Sequence, residues 1–240
     1  MCTVSFLPLG ASAADFILTS NRDETPSRPA RFPDWQEGGE SRWFGPSDPR
    51  SGGSWFGTDG EHWALCVLNG AFVKHQHRPP YSRSRGRLIP DFLAAGSSAA
   101  FLSSYDFSGM EPFTFLIVQF GNGPCSLLEL RWDSQQLHQR YLAAHEPHLW
   151  SSATLYNAEQ AAIKKGWFDS WLAQEQGIYT QEGIFRFHQH AGVGNAELDL
   201  VMDRGTVRTT SISSLALQNN TLQLRYLQIA PAEAYAYSLF

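Results

Sequence analysis

The feature of this sequence that most constrains its fold is a series of short runs, at both ends of the chain, in which apolar and polar residues alternate. Alternation with a period of two is typical of strands that bury one face. These runs predict strands over residues 2–9, 16–19, 55–57, 62–68, 113–120, 126–132, 206–217 and 222–229. The last four are expected to pair as two hairpins, because Asn and Gly in the connecting segments readily adopt a positive φ.

Two other segments have the spacing of amphipathic helices. Residues 84–105 predict one helix, with Pro90 in its first turn. Its buried residues are expected to be Leu88, Ile89, Phe92 and Leu93. A second helix is predicted to begin after the N-cap Asn157, which has Gln160 three residues later, and to end at Gly177. Its buried face is expected to consist of Ile163, Trp167, Trp171 and Leu172.

The order of these elements indicates the fold class. Strands at both ends, helices between them and no strand–helix–strand alternation favour an α+β fold with antiparallel sheets. Residues 25–53, rich in Pro, Gly and Arg, predict a long irregular segment. The chain shows no linker, and residues 1–240 are expected to form a single domain.

The charge balance and the lack of long apolar runs argue against several partners. A formal net charge of −5 and a pI of about 5.9 give no global positive field for nucleic acid or an anionic membrane. No apolar run approaches the roughly 18 residues that a membrane-spanning helix needs, and the first residues lack the basic region of a signal peptide. The protein is therefore expected to be cytoplasmic, with Cys2, Cys66 and Cys125 as reduced thiols.

Cys2 is the position with the most informative chemistry. If Met1 is removed, as is usual before a small residue, Cys2 carries a thiol nucleophile and a free α-amine on one carbon. An α-amine titrates at about 7.7–8.0, so it can accept the thiol proton at neutral pH. The alternative is an inert, buried thiol at the start of a strand.

Two further polar groups follow predicted strands. Residues 20–24 are polar where the alternation of the second strand breaks off, and Arg22 or Asp23 could reach the α-amine of Cys2. An ion pair in a surface turn is the alternative. Asn69 ends the strand over residues 62–68, and its side-chain NH₂ could donate to a developing oxyanion or simply form a turn.

Several motifs occur in a fixed order along the chain. They lie at residues 1–3, 21–24, 52–57, 68–69, 84–88, 91–93 and 205–210. On these motifs the sequence resembles the NRDE family, which is named for the Asn-Arg-Asp-Glu string at residues 21–24 and includes the transport and Golgi organisation protein 2 group. The resemblance covers nearly the whole chain and is most specific in its first half.

This resemblance implies a fold and a set of site residues. The family is similar to the N-terminal nucleophile hydrolases, which are four-layer αββα sandwiches of antiparallel sheets, and within them to bile-salt hydrolases and penicillin acylases with an N-terminal cysteine. By the same resemblance, Cys2 would be nucleophile and base, Asp23 would hold the α-amine, and Asn69 would form the oxyanion hole. Arg208 would line the pocket from a late strand. The binding residues are expected to include Asn21, Arg22, Trp55 and Ser152.

Two positions depart from the pattern of the related hydrolases. Ser20 replaces an arginine three residues before the aspartate, and Ser152 stands where an asparagine precedes the second helix.

Two functional hypotheses follow. The first is an N-terminal cysteine hydrolase or acyltransferase that acts on a linear, non-peptide amide through a thioester on Cys2. The second is a non-catalytic protein that binds or traffics haem or an acyl-type lipid in the same cleft.

The histidines are the other candidate ligands. The pair His75 and His77 and the pair His188 and His190 each have a spacing that would place two rings on one face of a strand, as in a metal or haem site. Polar loop residues are the alternative, because no Asp, Glu or Cys lies at ligand spacing.

No metal and no resident cofactor are expected. Haem is considered only as the ligand in the second hypothesis. The partner expected for the first hypothesis is a small-molecule amide.

Overall fold

The structure is a computed structural model that describes residues 3–10, 13–38, 41–121 and 123–239. Its strands are β1 (Thr3–Leu9), β2 (Asp15–Glu24), β3 (Arg31–Gly38), β4 (Ser41–Ser47), β5 (Phe56–Thr58), β6 (Trp63–Asn69), β7 (Phe113–Gln119), β8 (Ser126–Trp132), β9 (Leu137–Leu142), β10 (His148–Ser151), β11 (Arg208–Gln218), β12 (Thr221–Gln228) and β13 (Glu233–Ser238). Its helices are α1 (Leu88–Ala95), α2 (Ser98–Ser104), α3 (Ala158–Glu175) and α4 (Gln181–His190). Within the described residues, no helix has both the length and the apolar character needed to cross a membrane.

The strands form two antiparallel sheets. Sheet A has the order β10-β1-β2-β11-β12-β13, and sheet B has the order β3-β4-β5-β6-β7-β8-β9. Every pairing between neighbouring strands is antiparallel, so the predicted α+β class with antiparallel sheets is confirmed. β1 and β2 lie inside sheet A, between the edge strand β10 and β11.

The two sheets pack face to face, with helices on the outer side of each. Phe16 of sheet A packs on Phe120 from the end of β7, with ring centroids 5.5 Å apart. On the outer side of sheet B, Phe92 of α1 packs against Phe115. On the outer side of sheet A, Phe168 of α3 belongs to a second apolar cluster. Its other buried members are Leu7, Ile17, Ile184, Phe187, Leu200 and Ala216. The layers are therefore helix, sheet, sheet and helix, as the resemblance implies.

Two predictions about the first fifty residues are wrong. The second strand does not break off at residue 19 but continues through Glu24, so the Asn-Arg-Asp-Glu motif lies on β2 itself. Residues 25–53 are not irregular throughout, because β3 and β4 form a hairpin in which Trp35 pairs with Phe44. This hairpin lies at the edge of sheet B, where a proline and several charged residues are tolerated in a strand.

The helix predictions hold in part. The helix expected over residues 84–105 is two helices, because Gly96 adopts φ 73° at the end of α1 and Ser97 caps α2. The start of α3 is confirmed, since Asn157 and Gln160 form a capping box. Of the buried face predicted for α3, Trp167, Trp171 and Leu172 are partly buried against the second apolar cluster, whereas Ile163 is 38% exposed. The fully buried residues of α3 are Lys164 and Phe168.

Candidate active site

The Asn-Arg-Asp-Glu motif presents alternate residues to the two sides of sheet A, because successive side chains of a strand point to opposite faces. Asn21 contacts His188 of α4 on the helix side. Arg22 lies on the opposite side, where its guanidinium carbon is 4.5 Å from the centre of the Trp55 ring. The strand geometry of β2 thus divides the motif between two environments.

Asn21 connects β2 to α4 and to the loop before β11. Its side-chain nitrogen donates to the carbonyl of Leu200 at 2.8 Å and to that of His188 at 3.2 Å. Its oxygen therefore accepts from His188 Nδ1, and His188 Nε2 in turn accepts from the hydroxyl of Ser5 at 2.8 Å. Both ring nitrogens of His188 are used, and burial lowers the pKa of this neutral imidazole to about 3.

Asp23 lies in the most polar part of the helix side. One carboxylate oxygen accepts from the hydroxyl of Thr209 at 2.6 Å, and the other is 3.4 Å from the hydroxyl of Tyr156. Burial raises the pKa of this carboxyl group, and the charge of Lys164 acts in the opposite direction. The carboxylate is thus held rigidly by two hydroxyls close to the beginning of β1.

Lys164 reaches the same place from α3. Its side chain is fully buried, its ammonium lies 3.7 Å from the centre of the Tyr156 ring, and it donates to Thr3 Oγ1 at 3.3 Å. Burial lowers its pKa to about 7, although the negative charge of Asp23 favours the ammonium form. A buried lysine next to the first described residue of β1 is a feature that the sequence patterns did not predict.

Arg22 is held on the other side of β2 by several contacts besides Trp55. Its Nη1 donates to the carbonyl of Arg28 at 3.0 Å and to the hydroxyl of Thr210 at 3.2 Å. Its Nη2 lies 3.6 Å from the carboxylate of Asp48. The guanidinium is 3% exposed, which fixes it as part of a wall rather than as a mobile surface group.

A depression of about 360 Å³ opens beside this wall. It is lined by Arg22, Trp55 and Asn69, three of the residues predicted for the site, and by the segment that leads into α1. The charged residues that line it are Arg22, Glu24, Arg28, Asp48, Arg83, Arg85 and Glu111. Most of the charges are paired across the depression, as in the contact of 2.8 Å between Arg85 and Glu111. The depression is therefore polar but nearly charge-balanced.

The segment between β10 and α3 connects the depression to the Asp23 cluster. The hydroxyl of Ser152 donates to the carbonyl of Asn69 at 2.7 Å, and the same hydroxyl lies 2.9 Å from that of Thr154. The backbone N–H of Tyr156 donates to the carbonyl of Ser152 at 3.0 Å. The structure thus brings Asn69 and Ser152 into direct contact, and Tyr156 joins them to Asp23.

Two predicted residues are not placed in this arrangement. Cys2 lies outside the described residues. Arg208 begins β11 and lines a separate, smaller depression with Pro26, Tyr226 and their neighbours, rather than the one that contains Asn69. Arg22, which the sequence also singled out, lines the larger depression together with Arg28, Arg83 and Arg85.

Ser20 and the two described cysteines are buried in the core near β2. Ser20 is fully buried and donates to the carbonyl of Asn21 at 3.2 Å. Burial raises the pKa of Cys66 to about 12, and it raises the pKa of Cys125 to about 12 as well. Both thiols are therefore protonated and inaccessible at neutral pH.

The histidine pairs do not lie on strands, so this part of the sequence prediction is wrong. His188 and His190 belong to α4, where residues two apart point in different directions, and only His188 is buried. His75 and His77 lie in the loop after β6, and both ring systems contact the same carboxylate oxygen of Glu111, at 2.9 and 3.3 Å.

Sequence reasoning missed three residues of the Asp23 cluster: Lys164, Tyr156 and Thr209. A signal for Lys164 existed, since residues 164, 168, 171 and 175 are spaced to share a helix face. The prediction that Ile163 is buried selects a different face of the helix, on which Lys164 is exposed. The contacts of Tyr156 and Thr209 depend on how distant segments meet, for which the sequence contains no local pattern.

Comparison with known proteins agrees with this architecture. A profile of the family described as Transport and Golgi organisation 2 matches residues 1–215. No curated protein matches the sequence significantly. The family match spans the Asn-Arg-Asp-Glu motif, the strand that ends at Asn69, α3 and most of β11.

Three solved structures with the same fold are named as an amidase and as two forms of a bile acid hydrolase. The Caenorhabditis elegans ortholog of N-acylethanolamine-hydrolyzing acid amidase has a TM-score of 0.61 at 10% identity, covering 89% of this chain and 92% of that chain. Two mutants of conjugated bile acid hydrolase from Clostridium perfringens have TM-scores of 0.59 and 0.58 at 9% identity, each covering 99% of this chain and 92% of the other. These likenesses confirm the predicted similarity to N-terminal nucleophile hydrolases at the level of the fold.

Proposed function

Because this chain belongs to the Transport and Golgi organisation 2 family and has the fold of an acid amidase and a bile acid hydrolase, we propose that it is an N-terminal cysteine hydrolase or acyltransferase. Its substrate is a linear, non-peptide amide, and its acyl intermediate is a thioester on Cys2.

The observation that carries the proposal is the buried Asp23 cluster beside the beginning of β1. Cys2 directly precedes Thr3 in the sequence, and Thr3 contacts Lys164, which lies in the field of Asp23. A carboxylate held by Thr209 and Tyr156 is suited to orient an α-amine. A strand end with no catalytic purpose has little need of a buried carboxylate and a buried lysine, because burying each charge is costly.

The reaction then proceeds in two stages. The α-amine of Cys2 accepts the thiol proton, and the sulfur attacks the carbonyl carbon of the amide. The Asn69 side chain stabilises the oxyanion of the tetrahedral intermediate. The ammonium group returns its proton to the leaving nitrogen as the C–N bond breaks, which leaves the thioester on Cys2. Water, or an amine acceptor in a transfer reaction, then attacks the thioester carbonyl and releases the acyl group and the thiol.

The polar depression supports a substrate with polar or charged groups near the amide. Its walls carry paired arginines and carboxylates, such as Arg22 with Asp48 and Arg85 with Glu111. Covering these groups with a long hydrocarbon chain would leave their hydrogen bonds to solvent unreplaced. A compact amide that makes new hydrogen bonds to them fits a volume of about 360 Å³ better.

The first experiment locates the reactive thiol. Purified protein is treated briefly with less than one equivalent of iodoacetamide at pH 7, and its intact mass and peptide map are determined. The proposal predicts that Met1 is absent and that the label is on Cys2, because Cys66 and Cys125 are buried. Retention of Met1, or equal labelling of all three thiols, would contradict it.

A second experiment tests turnover directly. A panel of small polar amides is incubated with the protein, and acylated protein is detected by mass after an acid quench. The wild type is expected to gain an acyl group that is absent from Cys2→Ala, and Cys2→Ser should form no thioester while retaining the fold. A Cys2→Ala variant that hydrolyses the same amide at the wild-type rate would rule out the proposed nucleophile.

Haem or lipid binding in the same cleft has less support. His188 cannot bind iron without giving up its hydrogen bonds to Asn21 and Ser5. His75 and His77 already contact Glu111. Titration with haem, followed by its Soret band, tests this hypothesis, and we expect no shift that depends on these histidines.

A further inference from the structure

Asp23 alone would make the α-amine of Cys2 a poor base. A nearby carboxylate stabilises the ammonium form and raises the pKa of an amine. A raised pKa leaves less of the amine free to accept the thiol proton at pH 7. Ser20, three residues before Asp23 on the same strand, is uncharged and lies on the core side of β2. A cation that balances Asp23 must therefore come from elsewhere in this chain.

Lys164 occupies the required place. It enters from α3 rather than from β2, is fully buried, and donates to Thr3 Oγ1 at 3.3 Å. Its ammonium lies 3.7 Å from the ring of Tyr156, whose hydroxyl is 3.4 Å from Asp23. Thr3 and Tyr156 therefore contact the ammonium at the beginning of β1, and the negative charge of Asp23 acts on it there.

We propose that Lys164 is the positioning cation of the site, which offsets the charge of Asp23 and keeps the α-amine of Cys2 available as a base. This inference rests on the proposed function and adds a residue to it. Lys164 does not touch the reacting atoms in this scheme. It acts through Asp23 and Thr3, and it supplies its positive charge from α3.

Several charged and titratable groups face Lys164 from the elements packed around it. They are Asp23 on β2, Tyr156 before α3, His188 on α4, and Asp199 and Arg204 between α4 and β11. Asp23 and Asp199 favour the ammonium form of Lys164, whereas Arg204 and burial disfavour it. Because the pKa of Lys164 is lowered to about 7, its charge and that of the α-amine titrate over the same range and are coupled.

The test is the pH dependence of Cys2 alkylation by iodoacetamide between pH 5.5 and 9. In Lys164→Met, which keeps a long side chain but removes the charge, we expect the midpoint for Cys2 to rise by about one pH unit. The matched control is Lys165→Met, because Lys165 is the next residue of α3 and is exposed. Its midpoint should equal that of the wild type. A folded Lys164→Met protein with the wild-type midpoint would overturn the inference.

A second variant and a measurement on the wild type guard against misfolding of Lys164→Met. Lys164→Arg keeps a positive charge and should preserve a midpoint no higher than that of the wild type. In wild-type protein labelled with ¹⁵N-lysine, one of the three lysines, Lys74, Lys164 and Lys165, should titrate near pH 7. A Lys164 side chain that is already uncharged at pH 6, identified as the signal missing from Lys164→Met, would refute the proposed charge balance. Failure of the proposed function is recognised separately, because Cys2 of the wild type would then not be labelled preferentially.

Discussion

The side chain of Asn21 is the clearest case of a motif residue whose contacts stabilise the fold. It binds one carbonyl of the loop before β11 and both the carbonyl and the ring of His188. His188 in turn accepts a hydrogen bond from the hydroxyl of Ser5 on β1. Three segments of the chain thus meet at the amide group of Asn21. These contacts hold α4 against β1 and against β2, the strand that carries Asp23.

The buried imidazole of His188 makes the stability of the protein depend on pH. Its pKa is about 3 when folded and about 6.5 in an unfolded chain, so the unfolded state binds a proton that the folded state excludes. The contribution is complete above pH 6.5 and is lost as the pH falls towards 3. Between pH 7 and pH 5 we expect the free energy of unfolding of wild-type protein to fall by about 2 kcal/mol more than that of His188→Gln. Urea unfolding at the two pH values measures this, and equal losses in the two proteins would contradict it.

The residues of the site differ in how well the sequence predicted them. Asp23, Arg22 and Asn69 belong to short motifs at strand ends, and their neighbourhood could be predicted from those motifs. The spacing of residues 164, 168, 171 and 175 is the only signal for Lys164, and it is weak because a lysine on a helix is normally solvated and Ile163 is the more obvious core residue. The negative charge of Asp23, more than a hundred residues earlier in the chain, offsets part of the cost of burying Lys164.

Helix α3 depends on its N-terminal cap. The side chain of Asn157 accepts from the N–H of Gln160, and the side chain of Gln160 accepts from the N–H of Asn157. Asn157→Ala removes one of these bonds and is expected to lower the free energy of unfolding by about 1 kcal/mol. Gln174→Ala, on the exposed side of the same helix, is the control and should change it by less than about 0.5 kcal/mol. An Asn157→Ala protein as stable as the control would contradict the role of the cap.

Two glycines should respond to alanine in opposite ways. A Cβ on Gly53 would lie 2.1 Å from the carbonyl oxygen of Gly86, which is backbone of the segment that lines the depression. Gly53→Ala is therefore expected to cost about 1–3 kcal/mol. A Cβ on Gly166, inside α3, meets no atom within 4 Å, so Gly166→Ala should add about 0.5–1 kcal/mol through helix propensity. Thermal unfolding of both variants tests this pair, and a shared direction would contradict it.

At the level of elements, the sequence predicted the strands and helices whose apolar residues recur with a clear period. It missed the strands and the helix that are stabilised mainly by contacts with the rest of the fold. The hairpins β7–β8 and β11–β12 have clear alternation and turn residues, and both are present. The edge strands β3, β9, β10 and β13 carry weaker patterns, because only one neighbour and one face constrain them. Helix α4 begins after Thr180, which caps it, but its two histidines favoured a strand prediction.

The whole molecule protects its two described cysteines. Cys66 lies inside the sheet sandwich with no exposed surface, and Cys125 is 6% exposed. In a Cys2→Ala protein, we expect 5,5′-dithiobis(2-nitrobenzoic acid) to release almost no thiolate in native buffer at pH 7. After unfolding in guanidinium chloride, the two remaining thiols should react within minutes. Rapid reaction of the native variant would show that the sandwich opens readily.

The position of β2 between β1 and β11 has a consequence for biosynthesis. The strand that completes the surroundings of Asp23, Arg208–Gln218, is synthesised long after Asp23 itself, because it lies more than 180 residues later in the chain. Thr209, which fixes Asp23, arrives with that strand. A nascent chain that ends before β11 therefore carries Cys2 without an assembled site around it. In the proposed enzyme, catalytic competence is acquired only after β11 has been synthesised. A product truncated before β11 would be inactive, and the unpaired edge of its β2 would be prone to aggregation.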